Sequence, residues 1–234
     1  MILAFHGCPG LPEDFDLLAQ ELKRSSSQVL LKAIARKGYP GSQSLASSLP
    51  PSSLYLGYSF GCADAVEAAS LDPQTKGIIL IAPYLYPTKE AGAGMKVLLA
   101  IPGLSDLLLS LLGKKATKEF VVKTAHPNQA PDTYVKTGER YAKPAILKRA
   151  MTETSGRGPG ITAALETLKK RNVPVLLVWG KQDQVCPESS QFEPLRELFP
   201  HVRERSLDQA GHALLWTHPE ILSKEIIQFS QALA

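Results

Sequence analysis

Leu54-Tyr55-Leu56-Gly57-Tyr58-Ser59-Phe60-Gly61-Cys62-Ala63-Asp64-Ala65 is the stretch on which the fold turns. Leu54–Tyr58 reads as a buried strand. Phe60–Ser70 reads as a helix of small residues (Ala63, Ala65, Ala68, Ala69) that stops before Asp72-Pro73. Between the two lies Gly-x-Ser-x-Gly. A serine held on a sharp strand-to-helix turn needs small residues two before it and two after it, and Gly57 and Gly61 supply them. The N-terminus of the helix then offers the Phe60 N–H and a positive dipole end to a developing oxyanion. Glycine and serine are common, so the pentapeptide gains its meaning from the strand before it and the helix after it.

The same alternation continues outward on both sides. Ile2–Phe5, Val29–Ile34, Gly77–Ala82, Val175–Trp179 and Val202–Leu207 read as strands. Helices are expected at Glu13–Arg24, where Phe15, Leu18, Ala19 and Leu22 share a face, and at Glu188–Leu198. A third is expected at Pro219–Leu233, with proline at its first position, where a missing N–H costs nothing. Strands alternating with helices imply a parallel sheet covered on both faces. From Tyr84 to Asn172 the rhythm breaks into helix-rich sequence. The expected organisation is a core of residues 1–83 and 173–234 with a helical lid insertion at 84–172.

A serine hydroxyl is a poor nucleophile unless a base takes its proton and an acid orients that base. In a sheet of this kind the acid belongs just past a later strand and the histidine in the loop after the last one. Val175–Trp179 is followed by Gly180-Lys181-Gln182-Asp183, and Ala210-Gly211-His212 comes later. The chain order Ser59, Asp183, His212 is the one this arrangement requires. The segment after the preceding strand, Ala82-Pro83-Tyr84-Leu85-Tyr86, has no acid. Asp208, four residues before His212, is the weaker rival. A second oxyanion donor is expected in His6-Gly7-Cys8-Pro9-Gly10, where Gly7 permits close approach and the Cys8 N–H faces the serine. His6 is read as a brace for that loop rather than a base.

In these pieces, together with Arg36-Lys37-Gly38-Tyr39-Pro40-Gly41-Ser42, the chain resembles the α/β-hydrolase superfamily, in the branch with a lid between the sixth and seventh strands. The resemblance spans nearly the whole chain in the right order. It implies an α/β fold, here a mostly parallel six-stranded sheet with helices on both faces. It also implies a serine hydrolase, a carboxylesterase or thioesterase acting through an acyl-enzyme, with Ser59, Asp183 and His212 as its triad and the Cys8 and Phe60 N–H groups as its oxyanion hole. The chain departs from the family in opening at what would be the third strand. Gly41–Ser53 is also too short and Ser/Pro-rich for a full helix. Rival readings are a carbon–carbon hydrolase or lyase on an acidic metabolite, and a non-catalytic binding protein on the same fold.

Composition narrows the rest. The 234 residues are 44% hydrophobic and 21% charged, which excludes a disordered or coiled-coil chain. Three cysteines exclude a disulfide scaffold and read as small buried thiols. A net charge of +4 is too small to imply nucleic-acid binding. Tyr84–Lys170, however, holds 14 Lys and Arg against 7 Asp and Glu, which suits a solvated basic face, an acidic substrate or an anionic membrane. Neither a metal nor a cofactor is expected, because no Cys/His cluster at ligand spacing and no phosphate-binding glycine motif occurs. The expected partner is a small acyl ester, acidic or with an apolar chain. No signal peptide or transmembrane run is read, so the expected location is the cytoplasm. Val97–Leu112 reads as two short apolar helices, broken at Pro102, Gly103 and Asp106. Its leucines are expected to face inward, anchoring the insertion and lining an acyl pocket above Ser59.

Overall fold

The computed structural model describes residues 1–26, 28–39, 54–86, 104–153, 158–186 and 188–233. The stretch between Gly41 and Ser53 and the first part of Val97–Leu112 lie outside them. Six strands form one sheet: β1 (Ile2–Phe5), β2 (Leu31–Ile34), β3 (Leu54–Tyr58), β4 (Gly77–Ile81), β5 (Val175–Gly180) and β6 (Arg203–Leu207). Their order is β2-β1-β3-β4-β5-β6, and every neighbouring pair is parallel.

The period of two along each strand divides the core. Ile2, Ala4, Leu56, Ile79, Ile81, Leu176 and Val178 point to one face. There they meet α1 (Asp16–Ser25), through Leu18 and Leu22, and α10 (Pro219–Ala232), through Leu222, Ile226 and Phe229. Leu3, Phe5, Ile78, Leu80, Val175 and Leu177 point to the other. They meet α2 (Gly61–Leu71) and α6 (Gly158–Lys170) through Ala65, Val66, Leu165 and Leu168. The central strands β1, β3, β4 and β5 are buried at every position, whereas β2 and β6 at the edges are only partly so. That is why the central strands read as unbroken apolar runs.

Between β4 and β5 the chain forms α3 (Leu104–Ala125), α4 (Asp132–Tyr141), α5 (Pro144–Glu153) and then α6. Two expectations need correcting. Leu104–Leu112 belongs to the single 22-residue helix α3; Asp106 sits in its first turn, where an acid suits the helix dipole and does not break it. Glu188–Leu198 is two pieces, α7 (Glu188–Gln191) and α8 (Glu193–Leu198), because Pro194 cannot lie inside a continuous helix and instead opens the second. The short α9 (Leu214–Thr217) leads into α10.

After β1 the chain moves outward to β2 and then returns to the other side of β1 as β3. The loops leaving β1 and β3 are therefore neighbours at the carboxyl end of the sheet, where the strand order reverses. This is the crevice in which open α/β sheets bind ligands.

Candidate active site

Ser59 sits on the turn between β3 and α2 with φ 53°, in the left-handed region. A non-glycine residue there costs about 1–3 kcal/mol, so the turn has to be held. The Ser59 N–H donates to the Ile81 carbonyl (2.9 Å), and its own carbonyl accepts from the N–H groups of Cys62 (3.0 Å) and Tyr84 (3.1 Å). The flanking glycines are steric necessities. A Cβ on Gly57 would overlap the Cys62 backbone, and one on Gly61 would overlap the Phe5 and His6 carbonyls.

His212 stands in the loop between β6 and α9. Its Nε2 lies 2.9 Å from Ser59 Oγ, and its Nδ1 lies 2.7 Å from Asp183 Oδ2. A carboxylate can only accept, so Nδ1 carries the proton and Nε2 is left to accept from the serine hydroxyl. Asp183 is fixed in turn: its Oδ1 accepts from the N–H groups of Val185 (2.7 Å) and Cys186 (2.9 Å). The His212 and Asp183 side chains are 3% and 2% exposed, so this relay is shielded from water and from salt. The histidine loop is clamped from two sides. The Tyr58 hydroxyl donates to the His212 carbonyl (3.1 Å), and the Ala213 N–H donates to Thr124 at the end of α3 (2.9 Å). Gly180 and Gly211 have no room for a Cβ against the carbonyls of Ala210 and His126.

Asp208, the rival acid, is turned to solvent. It pairs with Lys181 at 2.7 Å with its side chain 77% exposed, and that pairing holds its carboxyl below the usual range. The β1 loop lies against the serine: the Cβ position of Gly7 is 3.3 Å from Ser59 Cβ. Cys8 is the next residue after Gly7, and Phe60 follows Ser59 at the start of α2. His6 is buried. Its Nδ1 donates to the Gly7 carbonyl (2.9 Å) and its Nε2 accepts from the Arg36 N–H (3.2 Å). Burial, then the nearby Arg36 charge, pushes its pKa down to about 3. A ring kept neutral in this way is a spacer between two loops.

The residue whose part was not foreseen is Arg36, which has no exposed surface. Its guanidinium donates to Asp64 through Nε, to Glu153 (2.6 Å) and to the Gly7 carbonyl (3.1 Å). It also lies over the rings of Phe60 (5.1 Å) and Tyr39 (5.5 Å). Glu153 further accepts from Arg149 (3.2 Å) and from the Tyr39 hydroxyl (3.1 Å). Two arginines and two carboxylates thus balance in charge beneath the β1 loop, joining it to α2 and α5. One signal could have exposed this cluster. Asp64 stands among Cys62, Ala63, Ala65 and Val66, and an acid inside such an apolar run of helix needs a buried counter-charge.

The cysteines are free; Cys62 and Cys186 are buried and Cys8 is partly buried. Burial pushes the Cys8 thiol up to about 12 and raises Cys62 and Cys186 as well, so all three are protonated and unreactive. Asp183, Cys186 and His212 form the one group among the described residues whose atoms could surround a metal. Both ring nitrogens of His212 are already engaged there, Nδ1 by Asp183 and Nε2 by Ser59.

A family model described as alpha/beta hydrolase fold matches residues 47–219. A 64-residue stretch is 34% identical to a non-heme chloroperoxidase of Streptomyces lividans, covering 27% of this chain and 23% of that protein. The chain thus matches under a quarter of the length of such curated relatives. Among solved structures, an esterase from Rhodococcus sp. ECU1013 superimposes over 100% of this chain and 90% of its own, with TM-score 0.69 and 16% identity. A thioesterase domain from the curacin biosynthetic pathway does so over 97% and 90%, with TM-score 0.64 and 18% identity. At such identities the likeness is one of fold.

Proposed function

The chain belongs to the α/β-hydrolase fold family, and we propose that within it the protein is a serine hydrolase cleaving a carboxylic ester or thioester. The observation that carries this reading is the buried relay Ser59–His212–Asp183, with its 2.9 and 2.7 Å spacings. Ser59 Oγ attacks the acyl carbon while His212 Nε2 takes its proton. The negative charge that gathers on the carbonyl oxygen is met by the N–H groups of Cys8 and Phe60. Asp183 stabilises the imidazolium, which then protonates the departing alcohol or thiol and leaves an acyl ester on Ser59. Water enters, gives its proton to His212 and attacks the acyl carbon. Collapse returns the proton to Ser59 and releases the acid. These residues complete the cycle without a cofactor.

On this reading α3, α4 and α5 form a lid, and their excess of basic residues favours a substrate with an acidic group. The three unpaired cysteines suit a reducing compartment such as the cytoplasm. No described helix is long and apolar enough to cross a membrane. The test is a hydrolysis panel of p-nitrophenyl esters and acyl-CoA thioesters from two to sixteen carbons, run beside Ser59→Ala. Turnover that the variant lacks is expected on at least one series. No turnover above the variant on either would overturn the reading.

A further inference from the structure

The sequence places the leucines of Val97–Leu112 inward; among the described residues Leu108 and Leu109 are half-buried, but Leu107, Leu111 and Leu112 are exposed. The buried positions of this helix include Gly113, Thr117, Val121 and Thr124. Close contact explains the small residues: a Cβ on Gly113 would press on Leu147, and one on Gly138 of α4 would press on Val121. The threonines lose little by burial, since their hydroxyls donate to the Gly113 and Phe120 carbonyls at 2.9 and 2.8 Å. Four large apolar side chains point outward: Leu107, Leu111, Leu112 and Val122 are 58%, 69%, 62% and 58% exposed. Contact with the core cannot account for them.

Leu107, Leu111, Lys114, Lys118 and Val122 recur at helical spacing on one side of α3, with Lys115 beside them. The helix carries four lysines against two acids, and both acids sit in ion pairs, Glu119 with Lys115 and Asp106 with Lys148. Next to this face, between α3 and α4, lies a cavity of about 410 Å³. Thr117, Val121 and Val135 line it together with Lys114 and Lys118.

We propose that this outer face of α3 docks on an anionic lipid surface. Exposed leucines interleaved with lysines give the two terms such binding needs: apolar side chains entering the headgroup boundary, and positive charge facing lipid phosphates. A second copy of the chain is a poorer occupant, because it would bring lysines against lysines. The last turn of α3 also holds the His212 loop through the Thr124 carbonyl, so the docking helix and the candidate site are directly joined. The proposal does not depend on what Ser59 does.

Sedimentation with vesicles of phosphatidylcholine, alone or with one third phosphatidylglycerol, tests it without any activity readout. The protein should bind the anionic vesicles at low salt, bind the neutral ones far less, and come off at high salt. Lys114→Gln with Lys118→Gln should weaken binding about thirtyfold, from roughly a factor of five per lysine. Leu107→Gln with Leu111→Gln should weaken it about tenfold or more. All four positions face solvent, so the variants should melt with the wild type. Equal binding to both vesicle types would overturn the proposal, as would wild-type binding by both variants. So would a dimer in light scattering that the leucine variant dissociates, which would give the face to a second copy.

Discussion

Arg36→Met removes the cation at the centre of the buried charge cluster. Asp64 and Glu153, each 1% exposed at the side chain, would both lose the cation they share, while Glu153 keeps its pair with Arg149, whose side chain is 31% exposed. Breaking a buried pair from one side costs about 3–5 kcal/mol, since the orphaned charge stays desolvated. The Gly7 carbonyl also loses a donor, worth about 1 kcal/mol. A loss of about 4–6 kcal/mol is a large part of the roughly 5–15 kcal/mol that holds a domain together. In a chain of this size it lowers Tm by about 10 °C. Urea unfolding at neutral pH measures the loss. The informative control is the triple variant Arg36→Met, Asp64→Leu, Glu153→Met. Arg149, the cluster's remaining charge, is 31% exposed at its side chain and can hydrate, so this variant should recover most of the stability. An Arg36→Met protein within about 1 kcal/mol of wild type, or a triple variant no more stable than the single one, would show that no buried charge is stranded.

Two further expectations follow from the site. Asp183→Asn should lower turnover by about 10⁴, because an amide leaves His212 in the wrong tautomer; Asp208→Asn should leave the rate unchanged, and steady-state kinetics on one responsive ester separates the two. His6 makes stability depend on acidity: its folded pKa of about 3 lies below the ordinary 6.5, so the unfolded chain takes up a proton that the folded one refuses. Stability present above pH 6.5 is therefore lost as pH falls toward 3, by up to about 1.4 kcal/mol per pH unit. His6→Gln, whose amide oxygen can still accept from the Arg36 N–H, should flatten that slope in urea midpoints taken between neutral and acid pH.

The six strands were legible because each carries its signal locally. Ile2–Phe5, Leu54–Tyr58 and Gly77–Ile81 are apolar at nearly every position, as strands buried on both faces must be. Ser59, Asp183 and His212 were legible as a set because the family's chain order says which loop to search, and the structure brings those three side chains together. What escaped the reading depends on partners far away in sequence. Arg36 looks like a loop residue beside Gly38 and Pro40; its burial rests on Asp64 and on Glu153, 117 residues away. Leu107, Leu111 and Leu112 of α3 misled for a related reason. Hydrophobicity says that a residue prefers cover, but the inner face of α3 was fixed by how closely α4 and α5 approach, and that admits only small side chains.

The central claim is that Ser59 is a nucleophile activated by His212, and intact-mass spectrometry after treatment with a fluorophosphonate tests it most directly. Attack by Ser59 Oγ on phosphorus with loss of fluoride should add one phosphonyl group per chain. The adduct should map to the peptide containing Ser59, be absent in Ser59→Ala and form far more slowly in His212→Ala. Absence of labelling on folded protein, or an adduct that persists in Ser59→Ala, would contradict the account.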